Sequence, residues 1–404
     1  MAKHPVSKPV LLVALSHACT DLSAGALPIL LPFLKSAFAL SYSQVGFIVL
    51  MQNVTSSVIQ PVFGYITDRY PLPWLVPVGL ILSGLGMAVT GLATSYTSLL
   101  TIVIITGLGI AAFHPQGAKM IHNTTQIHNR GQSMAVFSIG GNLGQACGSV
   151  FMMSLLALPG HTNNTLYFCL PAFTLAALLW MNLSALSPKV STLTAPVAKK
   201  DRPAASLPIA MVSLLLAYIF FRSSISAGLT TYIPLYFADH LGGSYSFASY
   251  LVSGYLLSGV AGTYVGGVLG DKFGRKTIIL GSMVLTLPLL LLLPYATEFW
   301  ALPIVLLTGF VYIASFSSTT VLAQEMLPGY EALAASLTIG FGIGLGGLAV
   351  TLLGYVADHF SVSIVFSILS LIPIPAALLA FFLPGRFFRP DYLPHSSPAA
   401  PKES

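Results

Sequence analysis

Apolar residues along the chain come in long runs that are separated by short polar breaks. A membrane-spanning helix needs about 20 consecutive, mainly apolar residues, and twelve runs have this character. In order, the predicted spans cover 10–34, 42–66, 74–94, 98–121, 131–156, 165–186, 207–236, 245–270, 277–295, 299–323, 332–357 and 361–384. The pattern therefore predicts an all-α polytopic membrane protein with twelve transmembrane helices.

The composition favours burial in lipid over burial in water. Of the 404 residues, 55% are hydrophobic and 7% are charged, and the mean hydropathy is +0.85. Soluble domains carry about 25% charged residues. The first apolar run continues to about Leu34, beyond the roughly 7–15 residues of a cleavable signal core, so we interpret it as a retained first span.

Lysine and arginine are unevenly distributed between the two sides of the predicted membrane. With twelve spans both termini share one side, and 15 of the 17 cations fall there. Lys35 lies on the opposite side, and Arg222 lies within a span. Because cytoplasmic loops are enriched in Lys and Arg, we predict that both termini are cytoplasmic. The basic charge then reflects topology, and no nucleic-acid partner is expected.

A polar break that contains three prolines divides the chain nearly in half. We predict an N-terminal six-helix bundle over 1–186 and a cytoplasmic linker over 187–206. A C-terminal six-helix bundle is predicted over 207–385, followed by a disordered cytoplasmic tail over 386–404.

The two halves also share sequence elements at nearly constant offsets. At an offset of 203 residues, Ser23-Ala24-Gly25 aligns with Ser226-Ala227-Gly228, and later the offset becomes 200, so that Ile139-Gly140 aligns with Ile339-Gly340. Each half begins on the same side of the membrane. The halves are therefore predicted to be parallel repeats, related by a pseudo-two-fold axis along the membrane normal.

A Gly-x-x-x-Asp-basic element follows both the second and the eighth predicted spans. Glycine permits close approach of two helices, and the aspartate is able to pair with a neighbouring helix. The alternative is that these are only turn residues with cytoplasmic charge. We expect Glu325 to face the second copy. The predicted gating residues are Gly64, Asp68, Arg69, Gly267, Asp271, Lys272, Arg275 and Glu325.

Ionisable residues inside spans are costly and mark candidate functional sites. Asp21 lies near the middle of the first span and Arg222 near the middle of the seventh. Because these spans are repeat partners, we expect the two charges to meet at the midplane, where such carriers bind substrate. Asp21 would carry a proton and also contact substrate, which Arg222 would bind. The alternative is a fixed ion pair that fastens two helices.

Two histidines accompany Asp21 as candidate proton-coupling residues. His17 lies four residues earlier on the same helical face, where it either relays protons or acts as a hydrogen-bond spacer. His114 precedes Pro115, so it either binds protons and substrate or satisfies the carbonyl that proline leaves open. Other polar residues in spans either line a substrate cavity or join helices. They are Gln52, Asn53, Asn142 and Gln145.

The fifth and eleventh predicted spans are rich in glycine, including Gly140, Gly144 and Gly344. Such small-residue faces permit tight helix packing. A dimer interface is the alternative, but the equivalent spans of both halves carry these glycines, so we expect a monomer.

Several segments together resemble the fosmidomycin-resistance proteins of bacteria, and the two Gly-Asp-basic loops are similar to the signature loops of the major facilitator superfamily. The segments are Ser16-His17 with Asp21, Gln60-Pro61-Val62-Phe63-Gly64-Tyr65 with Asp68 and Pro71, Phe113-His114-Pro115, Ile139-Gly140-Gly141-Asn142, Gly270-Asp271-Lys272 with Gly274-Arg275-Lys276, and Ala323-Gln324-Glu325 with Leu327-Pro328-Gly329. The resemblance implies the major facilitator fold and proton-coupled drug export across the inner membrane. It also implies a basic residue at Arg222 that suits a phosphonate anion.

The leading hypothesis is proton-coupled efflux of a small drug-like or anionic organic compound, such as a phosphonate antibiotic. Exporters of this class commonly carry Gly-Pro late in the fifth span, whereas this chain has Gly148-Ser149. Uptake or facilitated transport of an organic anion or other small metabolite is therefore the alternative. A membrane enzyme and an ATP-driven pump are less favoured, since the chain has no HExxH, GxSxG or P-loop motif. A structural or receptor role is less favoured because it would not need charges at the midplane. We expect no cofactor and no metal site.

Overall fold

The computed structural model describes residues 7–70, 72–125, 130–186, 209–239, 244–327 and 337–385. The described residues are helical almost throughout. The α-helices cover Lys8–Ala37, Tyr42–Asn53, Gln60–Arg69, Leu75–Val89, Tyr96–Thr124, Arg130–Leu156, Cys169–Met181, Leu183–Leu186, Ile209–Asp239, Tyr245–Phe273, Arg275–Leu292, Glu298–Ile313, Ser315–Met326, Gly342–His359, Val362–Leu371 and Pro373–Phe382. Short 3₁₀ turns cover Thr90–Leu92, His161–Phe168 and Leu293–Tyr295, and π-helices cover Val54–Val58 and Leu337–Phe341.

Ten helices in the described part of the chain are long and apolar enough to cross a membrane. They match ten of the twelve predicted spans, and the predicted all-α fold class is confirmed. The other two predicted spans correspond to the glycine-rich helices Arg130–Leu156 and Gly342–His359. The predicted linker (187–206) and tail (386–404) lie outside the described residues, so the domain division stays a prediction.

Serine residues start two of the spans by capping them. The hydroxyl of Ser41 accepts a hydrogen bond from the Gln44 amide, and the Gln44 side chain accepts one from the Ser41 amide in return. Ser95 and Ser98 form the same reciprocal pair at the start of the fourth span. These capping boxes satisfy amide groups that the first helical turn leaves without partners.

Glycines of the fifth span allow it to lie directly against the first span. A Cβ atom on Gly140 would overlap the backbone of Ala14, one on Gly144 would overlap Ala18, and one on Gly148 would overlap Gly25. The hydroxyl of Ser149 donates to the Gly25 carbonyl oxygen at 2.7 Å. The glycine-rich face of the fifth span is thus packed within the chain.

We call the end of the bundle that carries residues 38–41 and 360–361 the outer end, and the end that carries Gly274 the inner end. The two halves of the chain meet mainly where the second span packs on the eleventh and the fifth on the eighth. A Cβ atom on Gly46 would lie 2.7 Å from the Thr351 Cα, and one on Gly347 would lie 2.9 Å from the Leu50 Cα.

The two π-helices face each other across this interface. A Cβ atom on Gly340 would lie 3.1 Å from the Ser57 carbonyl oxygen. The π-helical turns were not predicted from the sequence. They interrupt the second and eleventh spans at the same level, and π-turns inside α-helices are frequent at functional sites.

Candidate functional site

Three ionisable side chains of the N-terminal half meet between the first and fourth spans. The Oδ2 atom of Asp21 lies 3.2 Å from Nε2 of His17, and its Oδ1 atom lies 3.1 Å from Nε2 of His114. The carboxylate is thus held between two imidazole rings. We call these three residues the histidine–aspartate cluster. The sequence paired His17 with Asp21 by helical spacing but did not place His114 beside them.

Backbone carbonyl groups fix the orientation of both rings. Nδ1 of His17 lies 2.8 Å from the Phe137 carbonyl oxygen, and Nδ1 of His114 lies 2.9 Å from that of Ile110. A carbonyl oxygen only accepts, so each Nδ1 carries a hydrogen, and a neutral ring then has its lone pair on Nε2. Both Nε2 atoms lie within 3.2 Å of a carboxylate oxygen of Asp21.

This geometry gives the cluster room for two protons. A bare Nε2 lone pair facing a carboxylate oxygen is repulsive, and each contact becomes a hydrogen bond only when a proton lies between the two atoms. Among the described residues, no other ionisable side chain lies within ion-pair distance of Asp21. Taking up or losing a proton therefore changes the contacts within the cluster directly.

Aromatic rings and a glycine enclose the cluster. The His17 ring stacks on Phe137 with centroids 4.0 Å apart, and its centroid lies 5.8 Å from that of Phe113. His17 is only 7% exposed. A Cβ atom on Gly141 would overlap the His17 ring. The fifth span therefore closes the cluster with its backbone, which explains why glycine and phenylalanine occur there.

The His114 ring does not fill the position that Pro115 leaves open. Proline at 115 removes the hydrogen bond to the carbonyl of Ala111, four residues earlier. The His114 ring bonds to Ile110 instead. Its other nitrogen faces Asp21, so the geometry favours the proton-binding alternative over the local backbone repair.

Arg222 lies in an aromatic pocket of the C-terminal half. Its Nε donates to the Ser315 hydroxyl at 3.2 Å, and its guanidinium carbon lies 5.2 Å from the ring centroids of both Tyr312 and Phe316. The Tyr312 hydroxyl donates to the Arg222 carbonyl oxygen, and its ring stacks with Tyr255 at 6.2 Å. Cation–π contacts favour a guanidinium in such a place. Within the described residues no carboxylate pairs with it.

The prediction that Asp21 and Arg222 meet is wrong for this structure. The two carboxylate oxygens of Asp21 are taken by histidines of its own half, and Arg222 turns towards the tenth span. The physical reason lies in helix geometry. At an offset of 203 residues Asp21 matches Ser224, and residues two apart lie about 200° apart around a helix.

The predicted polar residues of the second and fifth spans have different environments. The Asn53 side-chain amide donates to the Ile343 carbonyl oxygen at 3.2 Å, so it joins the two halves. Gln52 is buried, and its amide nitrogen has no hydrogen-bond partner among the described residues. Asn142 and Gln145 are exposed on the fifth span.

The second Gly-Asp-basic element forms an ionic network with the tenth span. Nη2 of Arg275 lies 2.5 Å from Oδ1 of Asp271, and its Nε lies 3.9 Å from Oε1 of Glu325. This network joins three spans of one half, whereas Lys272 lies over the ring of Phe273 at 5.2 Å. Glu325 therefore faces Arg275, and the network lies within the C-terminal half.

The first copy of the element is organised differently. The Arg69 guanidinium lies over the Tyr65 ring, 4.5 Å from its centroid. A Cβ atom on Gly64 would lie 3.8 Å from Pro115, and one on Gly267 would lie 3.3 Å from the Ser317 hydroxyl. The side chain of Asp68 lies outside the described part of the structure.

An aspartate at the outer end was missed at the sequence level. Asp358 in the last turn of the eleventh span accepts hydrogen bonds from the amides of Tyr42 at 2.6 Å and Ser43 at 2.9 Å. The Ser43 hydroxyl also donates to it. We call this contact the outer clasp. One half of the chain thus caps the second span, which belongs to the other half, and no local pattern indicates a pairing 315 residues apart.

Comparison with known proteins agrees with this architecture. The model of the Major Facilitator Superfamily matches residues 13–336 and 214–403. The fosmidomycin resistance protein of Escherichia coli (strain K12) is 32% identical over 381 residues, which cover 92% of this chain and 91% of that protein. The uncharacterized MFS-type transporter YfnC of Bacillus subtilis (strain 168) is 31% identical over 381 residues, which cover 93% of this chain and 92% of that protein.

The fold has a similar counterpart among solved structures. A bacterial homolog to the human lysosomal transporter Spinster, in an inward-facing and occupied conformation, superposes with a TM-score of 0.78. The match covers 94% of this chain and 97% of that one at 14% identity, so it concerns the fold alone. The chain therefore belongs to the major facilitator superfamily, within it to the family of the fosmidomycin resistance protein, and it is a membrane transporter of small molecules and not an enzyme.

Proposed function

We propose that this transporter exchanges protons for a small drug-like or anionic organic compound, a phosphonate such as fosmidomycin among them, and exports it by alternating access. The protein would act as a monomer in the inner membrane of a bacterium, with both termini in the cytoplasm. The Escherichia coli relative is named for resistance to fosmidomycin, which supports a phosphonate drug as the substrate. The positions of 15 of the 17 cations support the orientation.

The observation that carries the proposal is the histidine–aspartate cluster. Two carbonyl groups orient two imidazole rings beside one carboxylate, whose side chain is 17% exposed. Imidazole both binds and releases a proton through its ring nitrogens, so two such rings beside one carboxylate are suited to proton transfer. In this proposal the transported proton is shared by the three side chains, and Asp21 does not carry it alone.

Arg222 supports the anionic substrate. The guanidinium presents nitrogen donors in a planar fork that matches phosphonate and carboxylate oxygens. Only its Nε has a side-chain acceptor, Ser315, and no carboxylate neutralises it among the described residues. Anion binding beside Arg222 would compensate a buried positive charge, which is otherwise expensive within a membrane.

The separation of these two sites supports coupling through the conformational cycle. The histidine–aspartate cluster lies in the N-terminal half and Arg222 in the C-terminal half, and the two do not pair in this structure. Their states would therefore be linked by the movement of one half against the other. Ligands shift such an equilibrium by their differential affinity for its states.

The test uses inside-out vesicles in which the purified transporter faces an imposed pH gradient. With an acidic lumen, antiport predicts that fosmidomycin accumulates inside. Asp21→Asn should abolish the accumulation driven by the gradient and leave exchange of labelled for unlabelled substrate. Accumulation driven only by an alkaline lumen would overturn the proposal, and so would an unchanged pH response of Asp21→Asn.

The same assay tests the alternative of anion uptake. That alternative is favoured by Ser149, which replaces the proline common at this point in exporters and whose hydroxyl ties the fifth span to Gly25. A symporter would accumulate substrate only with the gradient reversed, whereas a facilitator would only equilibrate it across the membrane whatever the gradient.

A further inference from the structure

A groove at the inner end of the C-terminal half combines cationic and apolar side chains. It lies between the end of the eighth span, the start of the ninth and the end of the twelfth, with a cavity volume of about 830 Å³. The residues that matter for its chemistry are Lys272, Lys276, Thr277, Leu280, Val284 and Phe381.

The polarity of the groove changes along its length. Lys276, Leu280 and Val284 are four residues apart on the ninth span and therefore line one helical face. The ammonium group stands at the inner end, and Val284 lies about 12 Å deeper along the helix axis. Gly281 leaves space beside this face, because an added Cβ atom would meet nothing within 4 Å. The exposed ring of Phe381 covers the other side.

The two lysines leave their charge available to a ligand. The Lys272 nitrogen lies 5.2 Å from the Phe273 ring centroid, and the Lys276 nitrogen lies 5.1 Å from that of Phe381. Neither forms an ion pair with a carboxylate among the described residues. Asp271 also lines the groove, but its carboxylate is paired with Arg275.

We propose that this groove binds an anionic phospholipid of the surrounding bilayer. The phosphate would lie between Lys272 and Lys276, and one acyl chain would follow Leu280 and Val284 into the apolar region. Basic pockets at the ends of spanning helices bind anionic head groups. A soluble phosphate would occupy the cationic end only and would leave the apolar face uncovered, so the order of polarity along the groove favours a lipid.

Native mass spectrometry of the purified full-length protein tests the proposal. Phosphatidylglycerol and phosphatidylcholine with identical acyl chains are added in turn, and bound lipid is counted. Each lysine near the head groups contributes about fivefold to anionic-lipid binding. Replacing both, as Lys272→Gln with Lys276→Gln, should weaken phosphatidylglycerol binding roughly thirtyfold and leave phosphatidylcholine binding unchanged.

Two controls make the result specific. Lys8→Gln removes an exposed cation at the start of the first span, outside the groove, and should retain the preference for phosphatidylglycerol. Gly281→Phe fills the groove and should reduce binding of both lipids. Equal phosphatidylglycerol binding by the double variant and the unchanged protein would overturn the proposal. Displacement of the lipid by glycerol phosphate at equal concentration would also overturn it, because the acyl chain would then contribute nothing.

Discussion

At the scale of single residues, the site depends on which atom of each side chain faces its neighbour. The spacing of His17 and Asp21 was visible in the sequence, because residues four apart share a helical face. The position of His114 beside Asp21 was not visible in the sequence, because it depends on how the fourth span packs on the first. Nor does a sequence indicate that the Phe137 carbonyl fixes the His17 ring.

His17→Gln should uncouple transport from protons. Glutamine retains a side-chain donor for the Phe137 carbonyl oxygen but takes up no proton near neutral pH. We expect at least a tenfold loss of accumulation driven by the pH gradient, with substrate exchange unchanged within about threefold. His122→Gln, at the exposed end of the fourth span, is the matched control. Undiminished gradient-driven accumulation by His17→Gln would remove this residue from the proton site.

Arg222→Gln should weaken the binding of an anionic substrate by roughly ten- to a hundredfold, since hydrogen bonds to charged groups contribute about 1.5–3 kcal/mol. The affinity of Arg222→Lys should lie between those of the unchanged protein and Arg222→Gln, because lysine keeps the charge but lacks the bidentate fork. Titration calorimetry with fosmidomycin measures the three affinities. Full affinity in Arg222→Gln would show that the substrate binds elsewhere.

At the scale of helices, hydropathy was sufficient to predict ten of the twelve spans, because such a span must be apolar and long whatever its neighbours are. The sequence also identified the fifth and eleventh spans as close-packing elements. It did not indicate the π-helices at Val54–Val58 and Leu337–Phe341. A π-turn depends on a small shift in backbone hydrogen bonds, which packing between the halves decides and local sequence does not.

Gly144→Ala tests whether the first and fifth spans need their close contact. The new methyl group would overlap the backbone of Ala18, which cannot rotate away. Overpacking costs about 1–3 kcal/mol, so we expect the melting temperature in detergent to fall by on the order of 5 °C. Gly281→Ala, where a Cβ atom meets nothing, should keep or raise it. Equal melting temperatures for the two variants would contradict the packing argument.

At the scale of the whole molecule, the repeat predicted two related halves but not how they are joined. The offset between repeats placed Asp21 and Arg222 on partner spans, yet the helical rotation between 222 and 224 turns the arginine away. Contacts between the halves come from residues that are far apart in sequence, so local patterns do not indicate them. The outer clasp is such a contact, since it joins the eleventh span of one half to the second span of the other.

Asp358→Asn should favour opening of the outer end. The substitution removes the negative charge that two helix-terminal amides now share, and such interactions contribute about 1.5–3 kcal/mol. Spin labels at Thr94→Cys and Thr297→Cys, both exposed, should then report a larger population at long distance. Ser361→Ala removes a helix cap within one half, and it should leave the distances between the spin labels unchanged. Unchanged distances in Asp358→Asn would show that the clasp does not hold this end closed.

Opening the outer end has a consequence for the route of an anion. When the eleventh span moves away, the amides of Tyr42 and Ser43 would lose the carboxylate of Asp358 at the outer end. A helix N-terminus with free amides carries a partial positive charge and attracts anions. The exit would therefore offer a departing phosphonate a weak, temporary acceptor site. When Asp358 returns to those amides, its carboxylate would displace the anion and occupy the site. The anion would then be unable to bind there again until the outer end reopens.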